Sequence, residues 1–75
     1  MVKVGDKVHV HAAIGTQHGR SEGVVVKASR YVFSVLYARD SFLLRRVFRQ
    51  RDRIEVGGSP HFIGSAVWHF WVTRR

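Results

Sequence analysis

Residues 8–26 read VHVHAAIGTQHGRSEGVVV, and this stretch decides the fold of the chain. Its first five residues alternate between apolar and polar side chains, which is typical of a half-buried strand. Residues 24–28 begin with three consecutive valines and predict a second strand. Residues 14–22 are predicted to form a loop. Gly19 within it and Gly23 directly after it are expected to take positive φ or to allow close approach of the backbone. The stretch therefore predicts two antiparallel strands joined by a flexible connector.

Further segments outside this stretch also favour β-structure. Val2 and Val4 are expected to share one face at the start of the chain. Residues 31–37 read YVFSVLY, and both faces of such a strand are largely apolar. We therefore expect it to be central or to lie at a contact surface, where it could join two copies into a homodimer. Residues 66–72 read AVWHFWV and are rich in β-forming residues.

Residues 41–56 are compatible with two structures. As a helix, the segment gathers its apolar residues on one side and four arginines on the other, with Asp40 or Ser41 as cap. As β-structure, it forms a strand, a short turn at 50–53 and a final strand at 54–56. The local pattern favours the helix, whereas the surrounding strands favour the second interpretation.

The composition indicates one small folded domain. The chain has 75 residues, 45% of them hydrophobic, and it has no cysteine. This excludes a disulfide framework and a thiolate metal site and argues against a disordered chain. No apolar run approaches the length needed to cross a bilayer, and the start lacks the apolar core of a signal peptide. We therefore expect a cytoplasmic protein that has no membrane partner.

The charge balance indicates a polyanionic partner. Lys and Arg total 13 against 5 acidic residues, which gives a formal net charge of +8, and most of the basic residues are arginine. The guanidinium group is permanently charged, matches phosphate geometry and stacks on flat rings. DNA or RNA is therefore the leading expected partner.

The densest basic run lies between residues 39 and 53, and its like charges repel one another unless a partner neutralises them. Tyr31 or Trp71 is expected to be a ring exposed next to arginine, where it could stack on a base. The predicted nucleic-acid-binding residues are Arg20, Lys27, Arg30, Tyr31, Arg39, Arg45, Arg46, Arg49, Arg51 and Arg53.

The aromatic residues near the end of the chain predict a second kind of contact. Phe62, Trp68 and Trp71 are candidates for a protein interface, where aromatic anchors are enriched. His9 and His11 share a strand face, but no carboxylate or cysteine is placed to complete a metal site, so neither a metal nor a cofactor is predicted. The few scattered acids offer no paired catalytic carboxylates and no base beside a nucleophile, and we do not expect an enzyme.

The order of these segments resembles a small SH3-like barrel whose first half is similar to a KOW motif. The resemblance rests on Gly5-Asp6-x-Val8-x-Val10 and on the run GRSEGV at residues 19–24. It implies an all-β, five-stranded barrel over residues 1–56, with a fourth strand at 42–48. Residues 57–75 would be a C-terminal aromatic extension packed on the barrel or on a partner. The alternative fold is a three-stranded antiparallel sheet with one Arg-rich amphipathic helix at 41–56.

The resemblance also bears on function, because KOW-like barrels are typical of ribosomal proteins and transcription elongation factors. It implies a nucleic-acid-binding module linked to transcription or translation, in which contacts to the phosphate backbone supply most of the affinity. SH3-like barrels also occur in integrases and small phage proteins. The alternative is therefore a small phage or mobile-element interaction protein that docks on host transcription machinery, such as RNA polymerase, or on another protein complex.

Overall fold

The computed structural model describes residues 1–56, 61–63 and 66–75, with side chains described over 1–56 and 69–75. The described residues are all-β, which confirms the predicted fold class, and they contain no helix. They form six strands: β1 (Lys7–Ile14), β2 (Gln17–Ala28), β3 (Val32–Arg39), β4 (Phe42–Arg49), β5 (His61–Ile63) and β6 (Ala66–Arg74). Within these residues, no helical segment has the length and apolar character needed to cross a membrane.

The strands make one antiparallel sheet in the order β4-β3-β2-β1-β6-β5. β1 lies between β2 and β6, and its register with β6 runs from Val8 opposite Arg74 to Ile14 opposite Trp68. The end of the chain is thus hydrogen-bonded to its beginning. Residues 53–56 add contacts between β4 and β6: the Val56 amide donates to the Val47 carbonyl at 2.8 Å, and the Glu55 amide donates to the Phe70 carbonyl at 3.2 Å.

The alternative of a helix at 41–56 is wrong. Phe42–Arg49 forms β4, which pairs with β3 along its whole length. The pairing places Phe48 opposite Phe33 and Arg46 opposite Val35, so that the inward face of β4 completes the core beside β3. Sheet pairing and this burial outweigh the helical spacing of the apolar residues. The SH3-like or KOW-like identity of the sheet stays a prediction.

The predicted loop at 14–22 is also wrong. β1 and β2 continue into each other through a two-residue turn at Gly15 and Thr16, and φ of Gly15 is 55°. A positive φ at this position matches the turn to the twist of the two strands. Gly19 has neither a positive φ nor a tight neighbour. Gly23 is the predicted close approach, because a Cβ there would lie 2.7 Å from Cγ1 of Val35.

The core is formed by the inward residues of five strands together with Val2. Alternation in β1 is as predicted from the sequence, and Phe33, Val35 and Phe48 are almost fully buried. The buried apolar set is Val2, Val8, Val10, Ala12, Val25, Phe33, Val35, Tyr37, Phe48, Phe70 and Val72. Burying a large apolar side chain stabilises a fold by about 1.5–3 kcal/mol, so these residues hold the sheet together.

The expectation that Val2 and Val4 share a face is wrong. Val2 is buried, whereas Val4 is exposed. Val4 lies within a turn: the Asp6 amide donates to the Lys3 carbonyl at 3.1 Å, and φ of Gly5 is 92°. The turn interrupts the strand alternation, so Val2 packs in the core whereas Val4 faces solvent.

Candidate nucleic-acid interface

A groove lined by three arginines and an exposed tyrosine lies where the β2–β3 turn meets the turn after β4. We call it the arginine groove; its volume is about 380 Å³, and its principal lining residues are Arg30, Tyr31, Val32, Arg49, Gln50 and Arg51. Arg30 and Tyr31 lie in the first turn, and Gln50 and Arg51 lie in the second. Residues that are about twenty positions apart in sequence therefore form one surface.

Gln50 joins the two turns. Its backbone amide donates to the Tyr31 carbonyl at 2.8 Å. Its side-chain Nε2 donates to the carbonyls of Val2 at 2.8 Å and Ser29 at 3.1 Å, and its Oε1 accepts from the Val2 amide at 3.0 Å. These bonds fix the backbone on both sides of the groove, so its basic and aromatic residues project from a defined frame.

Tyr31 supplies a flat ring at the rim of the groove. It is 72% exposed, which confirms the expectation of an exposed ring here. The Arg30 guanidinium lies 5.5 Å from the ring centroid, within the range of a cation–π contact. An exposed ring beside a guanidinium can stack on a base while the cation contacts the neighbouring phosphate.

Asp52 neutralises one of the three arginines. Its Oδ2 lies 2.8 Å from Nη2 of Arg49, and its Oδ1 accepts from Nε of Arg49 at 3.1 Å. The hydrogen bond from the Ile54 amide and then the Arg49 guanidinium lower the pKa of Asp52, which keeps the carboxylate charged. Arg51 lies further away, at 3.8 Å, and its side chain is 78% exposed. Arg30 and Arg51 therefore present the more available charges.

A second groove of about 460 Å³ adjoins the first and shares Val32 with it. Lys27 and Arg45 line this groove, on the outer faces of β2 and β4. Within the described part of the chain, no carboxylate pairs with Lys27, Arg45 or Arg30. The two grooves together bring six of the ten predicted residues to adjoining surface: Lys27, Arg30, Tyr31, Arg45, Arg49 and Arg51.

The structure places the other four predicted residues elsewhere. Arg46 lies on the inward face of β4, and its Nη1 is 2.6 Å from Glu55 Oε2. Arg20 lies on β2 opposite His11, and Arg39 ends β3. Arg53 adopts a φ of 59° in the turn after β4, where its carbonyl accepts from the Val72 amide.

Arg46 has the contacts of a structural residue. Its Nε donates to the Tyr37 hydroxyl at 2.7 Å, and its guanidinium carbon lies 3.6 Å from the centroid of the Phe70 ring. Burial alone would lower the pKa of Arg46, but hydrogen bonds to Glu55 and Tyr37 outweigh it and raise the pKa. The permanent charge is thus held between β3, β4 and β6.

The predicted protein-contact residues are only partly described. The side chains of Phe62 and Trp68 lie outside the described residues. Trp71 is half-buried, and its ring is nearly parallel to that of His11, with 5.2 Å between centroids. In the parts of the chain with described side chains, no three histidine or acidic residues are grouped so that they could hold a metal ion.

Sequence reasoning missed Gln50. It stands between two arginines in the run RQRDR, and nothing in that pattern indicates a contact with Val2, which lies 48 positions away. Comparison with protein families, curated proteins and solved structures finds no significant match to this chain. The geometry of the grooves therefore carries the functional argument.

Proposed function

We propose that this protein is a nucleic-acid-binding module whose main contact is the arginine groove. The observation that carries the proposal is the convergence of Arg30, Arg51 and the exposed Tyr31 ring on one groove. Lys27 and Arg45 extend the basic surface into the adjoining groove. A net charge of +8 supports a polyanionic ligand, because it attracts and retains phosphates.

The proposed contacts are of two kinds: arginines that bind phosphates and position the strand, and a tyrosine ring that stacks on a base. Guanidinium groups of Arg30 and Arg51 would bind phosphates, which fixes the strand but reads little sequence. Tyr31 would stack on one base, a contact worth about 1–3 kcal/mol in proteins that bind single strands. Since a ring at a groove rim needs an unpaired base, we propose single-stranded DNA or RNA as the ligand, in a cytoplasmic protein of transcription or translation.

A second candidate function is docking on a protein complex, such as host transcription machinery, by a phage or mobile-element protein. The observation that favours it is the tip of the β3–β4 hairpin, where Phe42 and Leu43 are 69% and 68% exposed. Adjacent exposed apolar side chains of this size are a common feature of protein contact sites. This candidate requires no affinity for nucleic acid.

The proposed function is tested by fluorescence anisotropy with a labelled oligodeoxythymidylate of about 20 nucleotides, in a salt series at pH 7.5. We expect binding that weakens with salt, with a log–log slope of about −0.7 per phosphate contacted. The double variant Arg30→Ala/Arg51→Ala should lose at least about tenfold in affinity, which is 1.4 kcal/mol.

The matched control, Arg39→Ala/Arg74→Ala, removes the same charge at the ends of β3 and β6. It should change the affinity by less than about threefold, because these positions lie away from the arginine groove. Equal losses in both double variants would show that only net charge matters. No binding at low salt would overturn the function itself.

A further inference from the structure

Four of the five histidines lie on one outer face of the sheet, formed by β6, β1 and β2. His9 and His11 alternate with the buried Val8, Val10 and Ala12, and therefore point outward. The same alternation places His18 outward on β2 and His69 outward on β6. We call His9, His11, His18 and His69 the histidine face.

The centre of this face is a hydrogen-bonded pair of imidazoles. His11 Nδ1 lies 2.9 Å from His18 Nε2, and His11 Nε2 lies 2.7 Å from Oγ1 of Thr73. The indole ring of Trp71 is nearly parallel to both imidazoles, with centroids 5.2 Å and 5.4 Å away. Side chains from three strands thus form one polar and aromatic cluster.

The hydrogen bonds determine how the pair takes up protons. In the neutral pair, one ring donates across the 2.9 Å contact and the other accepts. A proton added to His11 lets this ring donate through both nitrogens, to His18 and to Thr73, so that both bonds are kept. A second proton would place two N–H groups against each other, so the 2.9 Å contact accommodates one added proton and opposes a second.

The surroundings of the pair are basic. Lys7 from β1, Arg20 from β2 and Arg75 after β6 carry permanent positive charge near the face, and His9 and His69 flank it. Within the described residues, Glu22 is the carboxylate of this face, and its Oε1 lies 3.2 Å from Nη2 of Arg75. Burial, followed by repulsion from His18, His9 and Arg20, lowers the pKa of His11.

We propose that the histidine face is a second surface for the phosphate backbone of nucleic acid, one that binds in weak acid when its imidazoles are protonated. At neutral pH its charge is limited to the surrounding lysine and arginines. In weak acid, up to three imidazolium groups join them around one already paired carboxylate, because the His11–His18 pair accommodates one added proton. Such an array has the charge of a phosphate-binding surface, and the Trp71 ring beside it is typical of nucleic-acid contacts.

The choice of ligand rests on the proposed function, whereas the dependence on protons rests on the geometry of the four histidines. The test measures affinity for the same oligodeoxythymidylate at pH 7.5 and pH 5.5 at constant ionic strength. The unmodified protein should bind at least about fivefold more tightly at pH 5.5, with a salt slope that is larger by about 1.4 if two more phosphates are contacted.

The variants separate the two surfaces. His11→Gln/His18→Gln should keep the affinity at pH 7.5 and lose most of the gain at pH 5.5. Arg30→Ala/Arg51→Ala should lose affinity at pH 7.5 and keep the gain. A second pair, His9→Gln/His69→Gln, removes two imidazoles without touching the hydrogen bonds of His11, and should lower the gain even if the first pair destabilises the fold.

The matched control is His61→Gln, which removes the histidine that is not among the four and should leave the gain unchanged. Equal affinity of the unmodified protein at both pH values, or an unchanged gain in both glutamine pairs, would overturn the inference. So would tighter binding of polyglutamate of equal charge than of the oligonucleotide at pH 5.5. Histidine-dependent binding in acid without binding at pH 7.5 would overturn the role of the arginine groove and leave this inference standing.

Discussion

The arginine groove and the histidine face are two basic surfaces built in different ways. The groove is formed by two turns that Gln50 joins through side-chain hydrogen bonds. The histidine face is formed by three paired strands, whose alternation places its rings outward. The groove carries guanidinium groups that stay charged, and the face carries imidazoles whose charge follows pH.

This difference shows how one small sheet can present a permanent and a conditional charge. Turn residues are placed by a few long-range hydrogen bonds, so one substitution can displace them. Residues on paired strands are placed by the whole ladder, so they move only if the ladder does. The following variants act first on the frame that both surfaces share and then on each surface alone.

The largest expected effect is that of Gly23→Ala, which destabilises the sheet that carries both surfaces. The new Cβ would lie 2.7 Å from Val35 Cγ1 and 3.1 Å from the Leu36 carbonyl oxygen, and Val35 is fully buried. We expect a loss of about 1–3 kcal/mol in the free energy of unfolding, measured by urea denaturation. The control Gly19→Ala has no neighbour closer than 3.7 Å and should change stability by less than about 1 kcal/mol. Equal losses would contradict the close approach at Gly23.

Gln50→Ala should disrupt the arginine groove and leave the histidine face unchanged. It leaves the Val2 amide, the Val2 carbonyl and the Ser29 carbonyl without their side-chain partner, at a cost of about 1–3 kcal/mol. Oligonucleotide affinity at pH 7.5 should fall about tenfold, or 1.4 kcal/mol, while the gain in acid persists. Gln17→Ala, at the exposed start of β2, is the control and should change neither quantity. A lost acid gain in Gln50→Ala would show that the surfaces are not independent.

The sequence predicted the parts of this molecule that depend on local alternation. The inward residues of β1 followed from periodicity. Periodicity alone would place Tyr31 on the same face as the buried Phe33, but Tyr31 precedes β3 in a turn and is exposed. The turn between β1 and β2 was missed, because a glycine-containing segment was interpreted as a loop although Gly19 and Gly23 fit within a strand.

The candidate site was less predictable, because the order of the arginines in the sequence does not show which of them point into the core and which point outward. Arg45 and Arg46 are neighbours in one basic run, yet Arg45 lines an outer groove and Arg46 pairs with Glu55. As a helix, this segment would gather Arg45 and Arg46 on one side. As a strand, it places them on opposite faces of the sheet. Tertiary pairing with β3 decided between them, and nothing in the run itself encodes that pairing.

Asp52→Asn should raise the affinity of the arginine groove for the oligonucleotide, because it removes one negative charge. The amide oxygen can still accept from the Ile54 amide, but the negative charge beside Arg49 and Arg51 is removed. We expect about a two- to fivefold gain in oligonucleotide affinity at low salt, and a smaller gain at high salt. Asp40→Asn is the control at the β3–β4 turn, where asparagine tolerates the φ of 54°. An equal gain in both variants would mean that the ligand senses net charge and not the groove.

The smallest expected effect concerns the stability of the protein without ligand. Burial and the neighbouring cations lower the pKa of His11 in the folded protein from its ordinary value of 6.5. The folded state therefore binds this proton more weakly than the unfolded chain does. The stability that His11 contributes is complete above pH 6.5 and is lost as the pH falls toward the lower folded value.

The urea concentration at the unfolding midpoint should therefore be lower at pH 5.5 than at pH 7.5, and the decrease should be smaller in His11→Gln than in the control His61→Gln. Saturating oligonucleotide should reverse this order, because a ligand that binds the protonated face stabilises it by mass action. The same proton would then weaken the free protein and strengthen its complex. If oligonucleotide leaves the difference between the two variants unchanged, the hydrogen-bonded histidines only clamp β1, β2 and β6 together, and the two surfaces differ in structure but not in function.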